Sequence, residues 1–176
     1  ILTPYIEPGS DQAILNARED VYTQIVRAAR ICYQSEWKGK EPETVEDKGS
    51  FIRQLIAQKH LAMLDHTSAQ VLFTVDRGVS HEVVRHRMSA FAQESTRYCN
   101  YANDKFGTEI CTVEPFYLQH EDLALWKRSA MSDEVAYMHL IHVGHTPQEA
   151  RTVLPTSTKT ELVMTGNLRS WQHFFD

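Results

Sequence analysis

The hydrophobic period of this chain switches between three-and-four spacing and strict alternation, and each switch fixes which kind of element a segment can form. Between Asn16 and Gln34, the residues Val21, Ile25, Ala28, Ala29 and Cys32 draw the stripe of an amphipathic helix, with Arg27 and Arg30 among them. Ala69, Val71, Phe73 and Val75 then alternate with Gln70, Leu72 and Thr74, which predicts a strand ending at Asp76-Arg77-Gly78. Three-and-four spacing returns at Leu123, Trp126, Ala130, Val135, Met138 and Ile141, a long helix ending near Gly144. Thr146-Pro147-Gln148-Glu149 is a capping box with proline at the first helical position, and Pro155 stops that helix. Ser157–Thr165 reads as a further strand, after which Asn167 caps a last helix carrying Trp171, Phe174 and Phe175.

Between these elements the signals are shorter. Residues 35–50 are charged and contain Gly39, Pro42 and Gly49, an exposed loop expected to be the most mobile region, before a short helix with Phe51, Ile52, Leu55 and Ile56. Ser80 is the expected N-cap of a helix running through Arg85 and His86, which the small and polar residues 89–95 then loosen into a loop. Residues 100–107 are turn-like, and Glu109–Val113 reads as a short strand stopped by Pro115.

With 176 residues, 42% hydrophobic and 23% charged, the chain has the content of one folded domain and is expected to form a single domain over 1–176. No apolar run is long enough to cross a bilayer and no hydrophobic leader opens the sequence, so no membrane partner is expected. Cys32, Cys99 and Cys111 are odd in number and form no CxxC pair, which fits a cytoplasmic protein with buried, neutral thiols. The net charge of −5 disfavours a broad nucleic-acid footprint. Residues 77–98 break that rule, with Arg77, Arg85, Arg87 and Arg97 against Glu82 and Glu94. A local basic site in an acidic body suits a bound anion of limited size.

The stretch from His81 to Tyr98 carries the chemistry. Arginine grips phosphate with two parallel charge-assisted hydrogen bonds and stays ionised. On a helix, Arg85 and Arg87 would lie about 200° apart and so reach different ligands, with His81 and Glu82 near enough to orient Arg85. Gln93, Glu94, Ser95 and Thr96 supply donors and acceptors ahead of Arg97, enough to read a base edge and a phosphate. Neither GxGxxG nor GxxxxGK[ST] is present, so side chains must hold any dinucleotide.

Arg85-His86-Arg87, seven residues and then Ser95 resembles the RHRx7S signature of the flavin-dependent thymidylate synthases. Further resemblances follow in order: the histidine pair His60 and His66 before the first core strand, Glu149 to Pro155 (EARTVLP), and Asn167 to Phe174 (NLRSWQHF). The likeness runs from about Arg27 to Asp176.

What the resemblance implies is an α+β fold, a mostly antiparallel sheet packed against several long helices, assembled as a homotetramer with shared active sites. Glu82, Arg85, Gln93, Glu94, Ser95, Thr96, Arg97 and Arg151 would bind deoxyuridine monophosphate (dUMP). His60, Ala62, Arg85, His86, Arg87, Gln93, Asn167, Arg169 and His173 would hold FAD. The implied activity is reductive methylation of dUMP at C5, with methylenetetrahydrofolate as carbon donor and NADPH as reductant of the flavin. No protein nucleophile is required, and Ser95 has no triad or elbow context. The family's activating arginine would lie beyond Asp176, so a missing C-terminal tail is expected. Ala62 stands where a small hydroxyl residue is common in the family, and Ala92 and Gln93 where Asn and Glu occur.

Two other functions compete: a nucleic-acid-binding module using the basic helix at 80–87, and a catalytically inactive nucleotide-binding homologue. His139, His142 and His145 are set aside as metal ligands because no carboxylate pattern such as HExxH accompanies them, and Trp126, Tyr137 and Met138 are assigned to the core.

Overall fold

The computed structural model describes residues 11–34 and 44–176. Most of the expected loop at 35–50 lies outside them. In chain order the elements are α1 (Asp11–Tyr33), α2 (Val45–Ala57), a 3-10 turn (Leu61–His66), β1 (Ser68–Asp76), α3 (Arg77–Val83), β2 (Ser89–Gln93), a 3-10 turn (Asp104–Phe106), α4 (His120–His142), α5 (Pro147–Ala150) with a 3-10 continuation (Arg151–Val153), β3 (Lys159–Asn167) and α6 (Leu168–Phe175). The sheet order is β1-β3-β2. Gln70 bonds to Thr165 while Arg77 bonds to Thr158, and Glu94 bonds to Glu161 while Ser89 faces Gly166, so β3 is antiparallel to both neighbours. This is the α+β class that the sequence suggests.

The described chain divides into two compact units. The first comprises residues up to Val71, then Arg87–Ala90 and Thr165–Asp176; the second comprises Leu72–His86 and Phe91–Met164. In the first, Ile25, Val26 and Ala29 of α1 pack with Ile52, Leu55 and Leu64, the apolar stripes meeting as their spacing requires. Thr44 caps α2 by accepting from the Asp47 amide, so the helix begins inside the segment that reads as loop. The second unit is centred on Tyr137, which has no solvent exposure and packs with Tyr101 and Ala150.

Several expectations change. Asp76, not Ser80, caps α3, its carboxylate accepting from the Val79 amide at 2.7 Å. That helix ends at Val83, so Arg85 and His86 stand in the turn beyond it and the helical separation of Arg85 and Arg87 does not apply. The stretch 89–93 is strand β2, not a loop, and Glu109–Val113 contributes only the bridge Thr112–Thr158. Cys32 and Cys111 are exposed rather than buried. Among the described residues no helix is long and apolar enough to cross a membrane.

Candidate functional site

In the second unit, the residues assigned to the nucleotide follow directly from β2. Gln93, the last strand residue, turns its amide inward: Nε2 donates to Ser80 Oγ at 2.8 Å and to Thr160 Oγ1 at 3.3 Å. Its donors are thereby committed, and what it offers a ligand is the acceptor oxygen. Glu94 is fixed at three points. Its amide donates to the Glu161 carbonyl, its carbonyl accepts from Arg77 Nη1 at 3.3 Å, and its carboxylate accepts from the Tyr101 hydroxyl at 2.7 Å. Arg77 also donates to Thr160, a residue without solvent exposure that therefore serves two donors from different elements.

Burial, with the bond to Glu94 and its charge, pushes the Tyr101 hydroxyl far above the ordinary tyrosine range, so it stays a donor. Tyr137 braces the same place: Tyr101 N–H donates to its hydroxyl at 3.3 Å, and that hydroxyl donates to the Cys99 carbonyl. Burial raises its pKa too.

Beyond Glu94 the chain folds into a turn. The Ser95 carbonyl accepts from the Tyr98 and Cys99 amides, and its hydroxyl accepts from Arg97 N–H at 3.3 Å. Thr96 is buried beneath, while Arg97 is exposed with its guanidinium over the Tyr98 ring at 5.4 Å. Glu82 and Arg85 are also exposed, linked through the backbone by Arg85 N–H to the Glu82 carbonyl. Arg151 follows the capping box, exposed on its 3-10 turn.

The first unit holds most of the flavin-assigned set. Lys59 adopts a left-handed conformation (φ 60°) at the end of α2, and the amide of His60 returns to the Leu55 carbonyl at 2.8 Å. This Schellman-type closure presents His60 and Ala62 at the surface. Arg87 is exposed at the entry to β2. Asn167 caps α6, its Oδ1 accepting from Ser170 N–H at 2.7 Å, so toward a ligand it offers its NH2 group. Arg169 pairs with Asp65 at 3.4 Å, and His173 lies on the last turn of α6. Trp171 anchors this helix, donating from Nε1 to the Ala69 carbonyl, meeting Phe174 edge-on and stacking with Phe175. Two histidines, two arginines and an amide NH2 form a donor-rich, cationic set, whose chemistry fits a dinucleotide with two phosphates and a polar ring edge.

The structure thus brings Gln93 to Arg97 together on one strand end and turn, and Asn167, Arg169 and His173 on one short helix. His86 belongs to the second unit, while Arg87 belongs to the first. Arg85, His86 and Arg87 of the recognition helix expected at 80–87 stand outside α3, which leaves His81 as the basic residue of that stretch on the helix and weakens the geometric basis of that alternative. Sequence reasoning missed Thr160, Tyr101 and Ser170, while Tyr137, expected in the core, is buried there. Only the position of Thr160 on an alternating strand carried any signal. Burial, then the charge of Glu109, raises the pKa of Cys111, so its thiol is neutral despite its exposure.

Comparison with known proteins gives a consistent result. The family described as thymidylate synthase complementing protein matches residues 13–176. Flavin-dependent thymidylate synthases from Mycobacteroides abscessus and from a Mycobacterium species (strain JLS) are 31% and 32% identical over 163 and 167 residues, covering 84% of this chain. The chain spans 63% of the length of those relatives. Among solved structures, a UMP/dUMP methylase, PolB, from Streptomyces cacaoi, bound with 5-Br dUMP, has a TM-score of 0.65 at 22% identity, over 87% of this chain and 71% of that one. That likeness establishes the fold.

Proposed function

The chain belongs to the thymidylate synthase complementing protein family, and from that premise we propose that it is a flavin-dependent thymidylate synthase acting on dUMP. The observation that carries this is the division of donors and acceptors, with Gln93–Arg97 gathered at one strand end and turn, as suits an anion and a base edge, and a cationic, amide-bearing set on α6 and its surroundings. In this reaction the methylene carbon of methylenetetrahydrofolate replaces the C5 hydrogen of uracil and a hydride completes the methyl group. FAD, reduced by NADPH, supplies that hydride when bound.

The protein's own residues position and polarise. Arg97, Ser95 and Arg151 supply donors to the dUMP phosphate, and the Ser95 turn holds Arg97 in place before the ligand arrives. The outward oxygen of Gln93 accepts from the uracil N3–H, its NH2 group being held by Ser80 and Thr160. Glu94 contributes to the dUMP site with its carboxylate oriented by the Tyr101 hydroxyl, which donates to Oε1. His60, Arg87, Asn167, Arg169 and His173 of the first unit hold FAD, with Ala62 contributing surface only. The relatives' flavin dependence and the neighbour's dUMP analogue support this division. A cytoplasmic homotetramer with shared active sites is part of the same proposal.

The decisive experiment incubates the purified full-length protein with FAD, NADPH, methylenetetrahydrofolate and dUMP. NADPH oxidation that depends on dUMP and yields dTMP is expected. FAD and dUMP binding without dTMP formation would identify an inactive homologue instead.

A further inference from the structure

Met88 follows the arginine-histidine-arginine run directly, and its backbone is left-handed, at φ 66°. A residue with a Cβ takes that conformation only under constraint, because the Cβ crowds the neighbouring carbonyl. Packing of its own side chain does not supply the constraint, since Met88 is 84% exposed. The backbone is held instead from α6, where Ser170 Oγ donates to the Met88 carbonyl at 3.2 Å.

The surroundings leave little slack. Ser89, the next residue, lies so close to Gly166 that a Cβ there would meet Ser89 Oγ at 3.0 Å and Ser170 Cβ at 3.4 Å. Ser170 is itself fixed by its amide bond to Asn167 Oδ1, and its neighbour Trp171 is buried and bonded to the Ala69 carbonyl. The helical turn that carries Asn167 and Arg169 therefore also grips the backbone that follows Arg87.

We propose that Met88 and Ser170 are positioning residues: the Ser170 hydroxyl locks a left-handed elbow at Met88, which sets the direction of Arg87 relative to Asn167 and Arg169 for FAD binding. The inference rests on the flavin assignment made above. Strain at Met88 is tolerated because a loosely held Arg87 would sample many directions and lose affinity to the ordering it would then undergo on binding. A glycine at position 88 would adopt the same backbone without strain, and so would depend less on the Ser170 bond.

The test is a four-variant cycle on the full chain: wild type, Ser170→Ala, Met88→Gly and the double variant. FAD dissociation constants are read from flavin fluorescence, dUMP binding is read at saturating FAD, and melting temperature confirms folding. Ser170→Ala should raise the FAD dissociation constant about fivefold, the worth of one hydrogen bond, while dUMP affinity stays unchanged. In the Met88→Gly background the same change should have less than about a twofold effect, the coupling expected of two contacting residues. Ser170→Thr, which retains the hydroxyl, should restore FAD affinity. An unchanged FAD constant in Ser170→Ala overturns the elbow, as does an equal weakening of FAD and dUMP or an equal loss in both backgrounds. If the wild type takes up no FAD, the flavin assignment falls and the elbow's role falls with it. Wild-type binding that Ser170→Ala leaves untouched sinks the elbow alone.

Discussion

The two units fix the residues proposed to face their ligands by different means. In the second, the bonds run mostly between side chains: Ser80 and Thr160 hold the Gln93 amide and Tyr101 the Glu94 carboxylate, while Arg77 bonds Thr160 and the Glu94 carbonyl. In the first, it is the backbone that is held, through the closure at His60, the Asn167 cap and the Ser170 bond to Met88. The difference matches the ligands proposed for them. A small pyrimidine nucleotide is discriminated by a few polar atoms, which must be fixed in place, because a buried group left unpaired by the wrong base is costly. A large dinucleotide is held by many weaker contacts spread along an exposed surface, and those need only correct backbone placement.

Four perturbations break or sharpen this contrast. The largest effect is expected from Trp171→Ala, which removes a buried indole, its bond to Ala69 and its ring contacts with Phe174 and Phe175. About 3–5 kcal/mol of stability should be lost in urea unfolding; a loss under about 1 kcal/mol would show that α6 is not anchored as described. Next come the two exposed arginines. Arg97→Ala should weaken dUMP by about tenfold to a hundredfold and leave FAD nearly unchanged, with Arg169→Ala doing the reverse, as removal of a charge-assisted contact of about 1.5–3 kcal/mol predicts. Isothermal titration of each ligand checks this, and equal losses for both ligands in either variant would dissolve the division of labour.

Thr160→Val keeps the shape of its side chain but leaves Gln93 and Arg77 each short of an acceptor. Stability should fall by about 1–3 kcal/mol, and the KM for dUMP should rise while FAD binding holds. A stability loss without any change in that KM would reduce the network to scaffolding.

The smallest effect concerns the capping box. The Thr146 N–H, then its hydroxyl, holds the Glu149 carboxylate below its ordinary range, with His145 adding to the effect. A depressed folded pKa means that the contribution is complete above the unfolded value, about pH 4.3, and disappears as pH falls through the folded one. The melting temperatures of wild type and Glu149→Gln should therefore differ slightly at pH 7 and converge in acid. A gap that persists unchanged at pH 2 would assign the effect to shape rather than charge.

How much could be read in advance depended on range. The capping box at Thr146–Glu149 and the Asn167 cap were legible because each is settled within four residues. The α4 stripe and the strands at 69–75 and 157–165 were legible from period, with boundaries shifted by a few residues. The end of α3 at Val83 was not, because no glycine or proline marks it; nor was the left-handed Met88, whose carbonyl is held from α6, far along the chain. The same holds for Gln93 and Thr160, whose pairing depends on strand register rather than on neighbours in sequence. Motif resemblance named the candidate ligand residues but not the residues behind them, such as Tyr101, whose hydroxyl donates to the Glu94 carboxylate. Cys32 and Cys111 show the limit of residue-type averages: cysteine is commonly buried, yet both lie at the surface.

The most direct test of the two-ligand account is the visible absorption spectrum of the purified protein, saturated with FAD and then titrated with dUMP. A bound-flavin spectrum that shifts saturably with dUMP in the wild type, and needs far more dUMP in Arg97→Ala, is the expected result. A protein that takes up no FAD, or a bound flavin whose spectrum is indifferent to dUMP while dUMP binds elsewhere, would contradict it.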